Sequence, residues 1–160
     1  MTERTATTTA TAGQHTDLDE AQIRELVLGQ QEAMRARDAE WLVGRYAPEI
    51  VSFDLAPPLR HTGPDVQDPA GLRTWFGTFD GPVDLQVHDL SVTVGGDVAY
   101  CHSLNRMAAI PAGSPEGFEM WFRATVCLRR IDGRWRITHE HTSTPFYMDG
   151  SFLAATDLKP

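Results

Sequence analysis

The chain has 160 residues and a mass of 17.8 kDa, which is the size of one domain. At this length roughly 70% of the unfolded surface becomes buried, so a hydrophobic core can stabilise the fold by itself. Hydrophobic residues make up 41% of the sequence and aromatic residues 9%, which excludes a wholly disordered chain. The formal net charge of −8 argues against a nucleic-acid partner, because binding phosphates requires a basic face.

The cysteines and the N-terminal segment limit the cellular setting. Cys101 and Cys127 are far apart and lack the spacing of a zinc site, which favours free thiols in a reducing cytoplasm. No apolar run reaches the 18 or more residues that a membrane span needs, so no membrane partner is expected. Residues 1–17 are rich in Thr and Ala without the apolar stretch of a secretory signal, and they are predicted to form a disordered tail.

The first third of the chain predicts two helices. Ile23 and Leu26 begin a helical repeat of apolar positions, which predicts a helix over about 20–37. Asp38 is placed to cap a second, short helix over 39–46.

A strand and a third helix follow. Residues 49–55 are β-branched and aromatic, which predicts a strand that ends at the prolines that follow. Residues 60–68 are predicted to be a loop. Asp68 and Pro69 have the pattern of an N-cap followed by proline at the first helical position, so a helix is expected from there to about Gly81.

The second half of the chain has the character of a sheet. Four strands are predicted, over 83–94, 98–110, 118–131 and 134–144. The turn signals are Gly95-Gly96-Asp97 and Asp132-Gly133. Helices that precede long hairpins predict an α+β fold with helices on one face of an antiparallel sheet.

Three stretches together resemble the NTF2-like superfamily, and within it the SnoaL-like and ketosteroid-isomerase-like proteins. They are the Arg37-Asp38 break leading to Tyr46-Ala47-Pro48 and Phe53-Asp54, the turn Gly95-Gly96-Asp97-Val98-Ala99, and the hairpin sequence DGRWRITHEHTS from residue 132. The resemblance covers residues 18–146. It implies a cone in which a curved antiparallel sheet wraps around N-terminal helices, with a pocket at its wide end and a homodimer formed through the outer sheet face. The expected domain is 18–150, followed by a C-terminal tail over 151–160.

Asp54 is the first candidate catalytic residue. The resemblance places it where ketosteroid isomerases have their general base, and a carboxylate in a largely apolar cone suits proton transfer at a carbon next to a carbonyl. The alternative is an aspartate that only accepts hydrogen bonds at a strand end. Gln30 stands where the isomerases have a tyrosine that donates to the oxyanion, and an amide is a weaker donor, so steroid isomerisation itself is not predicted.

His139 and His141 are the other candidate catalytic residues. Strand alternation puts them on one face with Trp135, Ile137 and Ser143. Because the start of this stripe is apolar, the whole stripe is predicted to face the pocket, where an imidazole can serve as an acid or an orienting donor. The alternative is that both imidazoles only satisfy neighbouring groups.

The two histidines and Asp54 also match a 2-His-1-carboxylate metal site. Two histidines spaced one residue apart are common in strands, so this signal is weak. The resemblance implies a protein that works without a metal and without a cofactor, and neither is predicted.

Further ligand-binding residues are predicted around the pocket. Besides Gln30 and Ser143 they are Phe53, His61, Trp75, Phe76, His102 and Met120. His61 has the alternative of an exposed loop position, and Trp75 and Phe76 that of core packing. Alternation does not decide whether His102 or its neighbours Ser103 and Asn105 face inward.

These observations predict a SnoaL-like protein whose pocket binds a small hydrophobic carbonyl compound. The activity expected from the resemblance is a cofactor-free isomerase or cyclase that uses acid/base chemistry. Two alternatives stay open, a non-catalytic ligand-binding or association domain and a small cofactor-free hydrolase or dehydratase.

Overall fold

The structure, a computed structural model, describes residues 6–160. Its helices are α1 (Ala6–Leu28), α2 (Gln30–Ala36), α3 (Ala39–Gly44), α4 (Pro64–Gln67) and α5 (Pro69–Phe76). Its strands are β1 (Tyr46–Phe53), β2 (His61–Thr62), β3 (Phe79–Gly95), β4 (Val98–Pro111), β5 (Phe118–Ile131) and β6 (Arg134–Ser143). Three of the four long strands of the second half were predicted with nearly these bounds. The strand β3 begins earlier than predicted, at Phe79, and α5 ends at Phe76, so the predicted helix end near Gly81 is wrong.

All six strands form one sheet in the order β2-β1-β6-β5-β4-β3. The β3–β4, β4–β5 and β5–β6 pairs are antiparallel hairpins, and β1 pairs with β6 in parallel. The α+β prediction is confirmed. The expected antiparallel sheet is in fact mixed, because β1 and β6 run in the same direction. These two strands are far apart in the chain and no hairpin turn joins them.

The N-terminal helix differs from its predicted bounds. The helix α1 begins at Ala6, so the predicted start near residue 20 is wrong, and the Thr/Ala-rich segment contains no helix-breaking proline. Residues 1–5 of the predicted tail lie outside the described residues. The predicted single helix is also divided at Gly29, where a Cβ would lie 2.8 Å from the Trp41 ring, so only glycine allows this contact.

The capping signals are confirmed by side-chain hydrogen bonds. Asp38 accepts from the Trp41 N–H at 2.9 Å, and Asp68 accepts from the Ala70 N–H at 2.9 Å. The predicted loop over 60–68 instead contains β2 and α4, and the β2 pairing to β1 is a two-residue ladder that propensity does not signal.

The core lies between the helices and the inner face of the sheet. One cluster joins α1 to the strands through Ile23, Val27, Leu128, Trp135 and Ile137, all almost fully buried. A second cluster lies under α5 and β3 and contains Phe76 and Val83 among others. No helix of the described residues is both long and apolar enough to cross a membrane.

Two peripheral features complete the fold. The strand β3 is one edge of the sheet, and its pairing to β4 is interrupted between Asp80 and Asp84 and again between His88 and Ser91. At the other end of the chain, the segment after β6 folds back, so that Ala155 is 2% exposed and its N–H donates to the Pro145 carbonyl at 2.8 Å. The predicted C-terminal tail over 151–160 therefore contains a buried residue.

Candidate active and ligand-binding site

A cavity of about 730 Å³ opens between the helices and the inner face of the sheet. This volume lies within the range of small-molecule sites. Most of its wall is apolar, with contributions from Met34, Leu72, Trp75, Leu85, Phe118 and Phe122. The polar groups that line it come mainly from α2, from the two ends of β1, from β4 and from β6.

A β-bulge at Thr138 decides which residues of β6 face this cavity. Leu128 pairs with Ile137 and the preceding Cys127 pairs with His139, so Thr138 is an extra residue on β6. Its hydroxyl donates to the Cys127 carbonyl at 3.3 Å. An extra residue shifts the alternation by one position, so the side chains beyond it change faces relative to a regular strand.

The predicted inward placement of His139 and His141 is therefore wrong. Both lie on the outer face, where the Phe53 ring is 4.8 Å from the His139 ring and 5.6 Å from the His141 ring, in edge-on contact. The His139 Nδ1 lies 2.8 Å from the Val51 carbonyl oxygen. Phe53 and Ser143, both predicted to bind ligand, also lie outside the cavity wall, since they share this face.

Two further predicted ligand-binding residues do not line the cavity. On β4 the buried side chains are Cys101, Ser103 and Asn105, so His102 points outward and is exposed. Phe76 is 3% exposed within the second core cluster, where the helix turns it away from the cavity.

The cavity wall does include five of the predicted site residues. These are Gln30, Asp54, His61, Trp75 and Met120. They come from α2, the end of β1, β2, α5 and β5, so the fold brings together residues that are far apart in sequence.

Asp54 follows directly after β1 and lies at the mouth of the cavity. Its Oδ1 accepts from the Leu55 N–H at 2.6 Å and from the Thr142 hydroxyl at 3.3 Å. Its Oδ2 has no hydrogen-bond partner among the described residues. The carboxylate is exposed and not surrounded by apolar groups as predicted, and one of its oxygens is available to a ligand.

A partly buried polar cluster lies on the same wall, beside Asp54. The Tyr46 hydroxyl donates to Glu140 Oε1 at 2.7 Å, and the Ser52 hydroxyl donates to the same oxygen at 3.4 Å. Burial raises the pKa of Tyr46 well above its usual value, and the negative charge of Glu140 raises it further. The phenol therefore keeps its proton and acts as a donor.

Sequence reasoning missed this cluster because it assigned Glu140 and Thr142 to the outer face. The parallel pairing of Ser52 with Glu140 brings the two side chains to the cavity together. No local signal could have found them, because β6 is polar on both faces after Ile137 and the bulge leaves no mark in the alternation.

Arg45 is a second residue that the sequence did not single out. It follows α3, it is 8% exposed, and it lines the cavity. Its Nε donates to the Leu42 carbonyl at 3.2 Å and its Nη1 to Gln30 Oε1 at 3.5 Å. The guanidinium carbon lies 5.3 Å from the centre of the Trp41 ring and 5.7 Å from that of Tyr46, which is cation–π distance.

Ser103 and Asn105 supply the polar part of the opposite wall. The Ser103 hydroxyl donates to Asn105 Oδ1 at 2.8 Å, and the two residues are 7% and 4% exposed. The side-chain NH₂ of Asn105 has no acceptor among the described residues, and Asn105 lines the cavity. An amide donor without a protein partner is thus present on this wall.

The 2-His-1-carboxylate alternative is not formed. Asp54 lies at the cavity, whereas His139 and His141 lie on the outer face. Among residues 6–160, no three His, Cys, Asp or Glu side chains come together as a metal site would require.

Comparison with known proteins agrees with this architecture. The model of the SnoaL-like domain matches residues 23–147. An NTF2-like protein of unknown function from Pseudomonas putida is 35% identical, with a TM-score of 0.78 over 90% of this chain and 98% of that one. A search of curated proteins finds no match to the sequence.

More distant solved structures share the fold. A proposed scytalone dehydratase from Novosphingobium aromaticivorans is 16% identical, with a TM-score of 0.71 over 83% of this chain and 89% of that one. A proposed dehydratase of the NTF2-like family from Streptomyces avermitilis is 18% identical, with a TM-score of 0.68 over 80% of this chain and 97% of that one. The fold is that of the NTF2-like α+β cone, and the chain belongs to the SnoaL-like domain family.

Proposed function

We propose that the cavity binds a small, largely apolar carbonyl compound and that Asp54 transfers a proton at the carbon next to the carbonyl, without a cofactor. The observation that carries this proposal is the free Oδ2 of Asp54 at the mouth of a largely apolar cavity. A carboxylate beside an apolar ligand can act as a general base once the bound ligand excludes water.

The opposite wall supplies a group for the carbonyl oxygen. Asn105 on β4 lies three strands from Asp54, roughly 14 Å along the sheet between the two backbones. Both side chains line the cavity, and their own length narrows the gap that one ligand has to span. In the proposed step the C–H proton passes to Asp54 Oδ2, and the electron pair moves to the carbonyl oxygen. The Asn105 NH₂ donates to the resulting enolate oxygen. Return of the proton to another carbon completes an isomerisation.

This chemistry can be tested before the natural substrate is known. The protein is incubated with α-tetralone in D₂O, and exchange of the protons next to the carbonyl is followed by NMR. We expect exchange faster than in buffer alone. We expect Asp54→Asn to lower the enzymatic exchange rate about a hundredfold or more, because the amide cannot accept the proton.

Asp132→Asn is the matched control, since Asp132 lies in the exposed β5–β6 turn at a φ of 50°, which asparagine accepts. It should keep the exchange rate of the unaltered protein. Exchange that persists in Asp54→Asn contradicts the role of Asp54. Binding of α-tetralone without any exchange, observed as a rise in melting temperature, supports the alternative of a non-catalytic ligand-binding domain.

Dehydration is the second candidate reaction. It is favoured by Tyr46, a hydrogen-bond donor on the cavity wall near Asp54. In this reaction Asp54 takes the α-proton and returns it to the leaving hydroxyl, which departs as water, while the Tyr46 hydroxyl donates a hydrogen bond to it. Two structural neighbours are proposed dehydratases. A β-hydroxycyclohexanone is the probe, and formation of the conjugated enone is followed by its ultraviolet absorbance. Enone formation that requires both Asp54 and Tyr46 would favour dehydration over isomerisation.

We also propose that the protein is a homodimer formed through the outer face of the sheet. Trp121 on this face has a buried indole Nε1 with no hydrogen-bond partner among residues 6–160, and the centre of its ring lies 4.9 Å from that of His88. Tyr100 is 50% exposed and Phe53 37% exposed on the same face. Aromatic residues of this kind are typical of subunit interfaces.

Sedimentation equilibrium tests the dimer. We expect a mass of twice 17.8 kDa at micromolar concentration and at least tenfold weaker association in Trp121→Ala. Leu59→Ala, at a position that is 96% exposed, is the control. A monomer at these concentrations contradicts the proposal.

A reducing cytoplasmic location is also proposed, and the free thiols of Cys101 and Cys127 support it.

A further inference from the structure

Arg45 is a buried cation with no counter-ion in contact among the described residues. It is 8% exposed, and no carboxylate of the described residues lies within salt-bridge distance of its guanidinium group. Nη2 and the second N–H of Nη1 have no acceptor among those residues. A buried charge normally has a paired partner, because removing it from water is costly.

The contacts that Arg45 does make do not satisfy its charge. The Leu42 carbonyl at the end of α3 binds Nε, and the Gln30 amide oxygen is a weak acceptor at 3.5 Å. Trp41 and Tyr46 contribute cation–π attraction, which holds the guanidinium plane without occupying its outer N–H groups. The unpaired N–H groups belong to a residue of the cavity wall.

We infer that Arg45 binds an anionic group of the cavity's ligand, namely a carboxylate. This inference rests on the proposal that the cavity binds a small carbonyl compound, and it specifies that compound as an apolar keto acid. A planar carboxylate matches the paired donors of a guanidinium group. A doubly charged group such as a phosphate monoester is disfavoured, because Asp54 and Glu140 line the same cavity and would repel it.

The positions of the two ends of the site give the shape of this ligand. The Arg45 carbonyl accepts from the Ile137 N–H at 3.0 Å, whereas Asp54 accepts from Thr142. The five residue steps along β6 from Ile137 to Thr142, roughly 15 Å of strand, therefore separate the Arg45 backbone from the Asp54 carboxylate. The long Arg45 side chain reaches into part of this gap. The ligand therefore has its carboxylate near Arg45 and its reacting carbonyl nearer Asp54, with an apolar middle between them.

Titration calorimetry with a matched pair of probes tests this inference. Benzoylpropionate and its primary carboxamide have the same size and the same ketone, and only the first is charged. We expect the acid to bind about tenfold to a hundredfold more tightly than the amide, because a buried charge-assisted hydrogen-bond pair forms. Arg45→Met should remove this preference and leave the affinity for the amide within about threefold.

Arg129→Met is the control for the loss of a positive charge, since Arg129 is exposed and paired loosely with Glu49 at 3.9 Å. It should keep the preference for the acid. Equal affinity for the two probes in the unaltered protein overturns the inference, and so does a preference that survives in Arg45→Met. If that variant does not fold, Arg45→Gln, which can still donate to the Leu42 carbonyl, takes its place with the same two outcomes.

The result is separable from that of the proton-exchange test. A preference for the acid that depends on Arg45, without proton exchange in any ketone, leaves the carboxylate site standing and contradicts the proposed catalysis. Exchange of α-tetralone protons without any preference for the acid does the reverse.

Discussion

The strands β5 and β6 are neighbours in one sheet, yet the alternation of their side chains behaves differently. Along β5 the inward positions run unbroken from Phe118 to Leu128. Along β6 the inward positions are Trp135 and Ile137 before the bulge, and Glu140 and Thr142 after it. A regular β6 would have placed two imidazoles in the cavity, whereas the bulged strand places a carboxylate and a hydroxyl there.

The bulge, and not the choice of residue types, therefore determines which side chains of β6 reach the cavity wall. Both faces of β6 carry polar residues after Ile137, so burial of apolar groups does not select one register over the other there. On β5 every inward position is apolar, and a shift by one residue would expose the whole stripe. Polar strand ends near a functional site can therefore change faces at little cost, and apolar strands cannot.

The largest expected effect comes from a pair of single-residue deletions. Deletion of Thr125 in β5 moves Val126 and Leu128 to the outer face, so we expect no cooperative folding. Deletion of Thr138 removes the extra residue of the bulge and leaves Glu140 facing inward, so we expect a folded protein destabilised by about 1–3 kcal/mol.

Urea unfolding followed by tryptophan fluorescence compares the two deletion variants with the unaltered protein. A Thr138 deletion as damaging as the Thr125 deletion would show that the bulge holds the register of β6 and is not merely accommodated in it.

An intermediate effect is expected from Tyr46→Phe, which removes the hydroxyl that donates to Glu140. The carboxylate then keeps only the longer contact to Ser52, and we expect a loss of about 1–3 kcal/mol in the free energy of unfolding. His141→Ala, one residue along β6 on the outer face, is the comparison and should cost about 0.5 kcal/mol or less. Equal losses would show that the inner polar cluster contributes no more than the outer ring contacts.

The smallest effect concerns the start of β6 before the bulge, where β5 and β6 pair in regular register. Asp19 on α1 pairs with Arg130 of β5 at 2.6 Å and accepts from the Trp135 indole of β6 at 3.3 Å. The hydrogen bond from Arg130 lowers the pKa of Asp19 below its ordinary value of 3.8. Its contribution, about 1 kcal/mol, is present above pH 4 and is lost as the pH falls through the lowered pKa.

We therefore expect Asp19→Asn to destabilise the protein by about 1 kcal/mol at neutral pH and to have little effect at the lowest pH at which it folds. Urea unfolding at several pH values measures the difference. Asp17→Asn, which alters an exposed aspartate in the same helix, should show no such pH dependence. A difference that stays constant with pH would mean that the ion pair is not its source.

The sequence predicted the fold well where signals are local. Asp38 and Asp68 cap helices as expected, and the Asp132-Gly133 turn joins strands with nearly the predicted bounds. It failed where the outcome depends on pairing between distant segments. The bulge at Thr138 follows from the register of β5 and β6, and the burial of Arg45 follows from its packing between Gln30 of α2 and Tyr46 of β1. Asp54 and Gln30 line the cavity. The superfamily pattern singled them out because it carries positional information that periodicity lacks, and their roles stay predictions.

The two interruptions in β3 have a consequence for the behaviour of the protein at high concentration. A strand of 17 residues at the edge of a sheet would offer another chain a long row of unpaired backbone groups. Here the ladder is broken twice, and Asp80, Asp84 and Asp89 place negative charges along the same strand. An edge strand of another molecule cannot pair with β3 over a continuous stretch. The strand β3 is therefore protected against the strand-to-strand association that leads to fibrils.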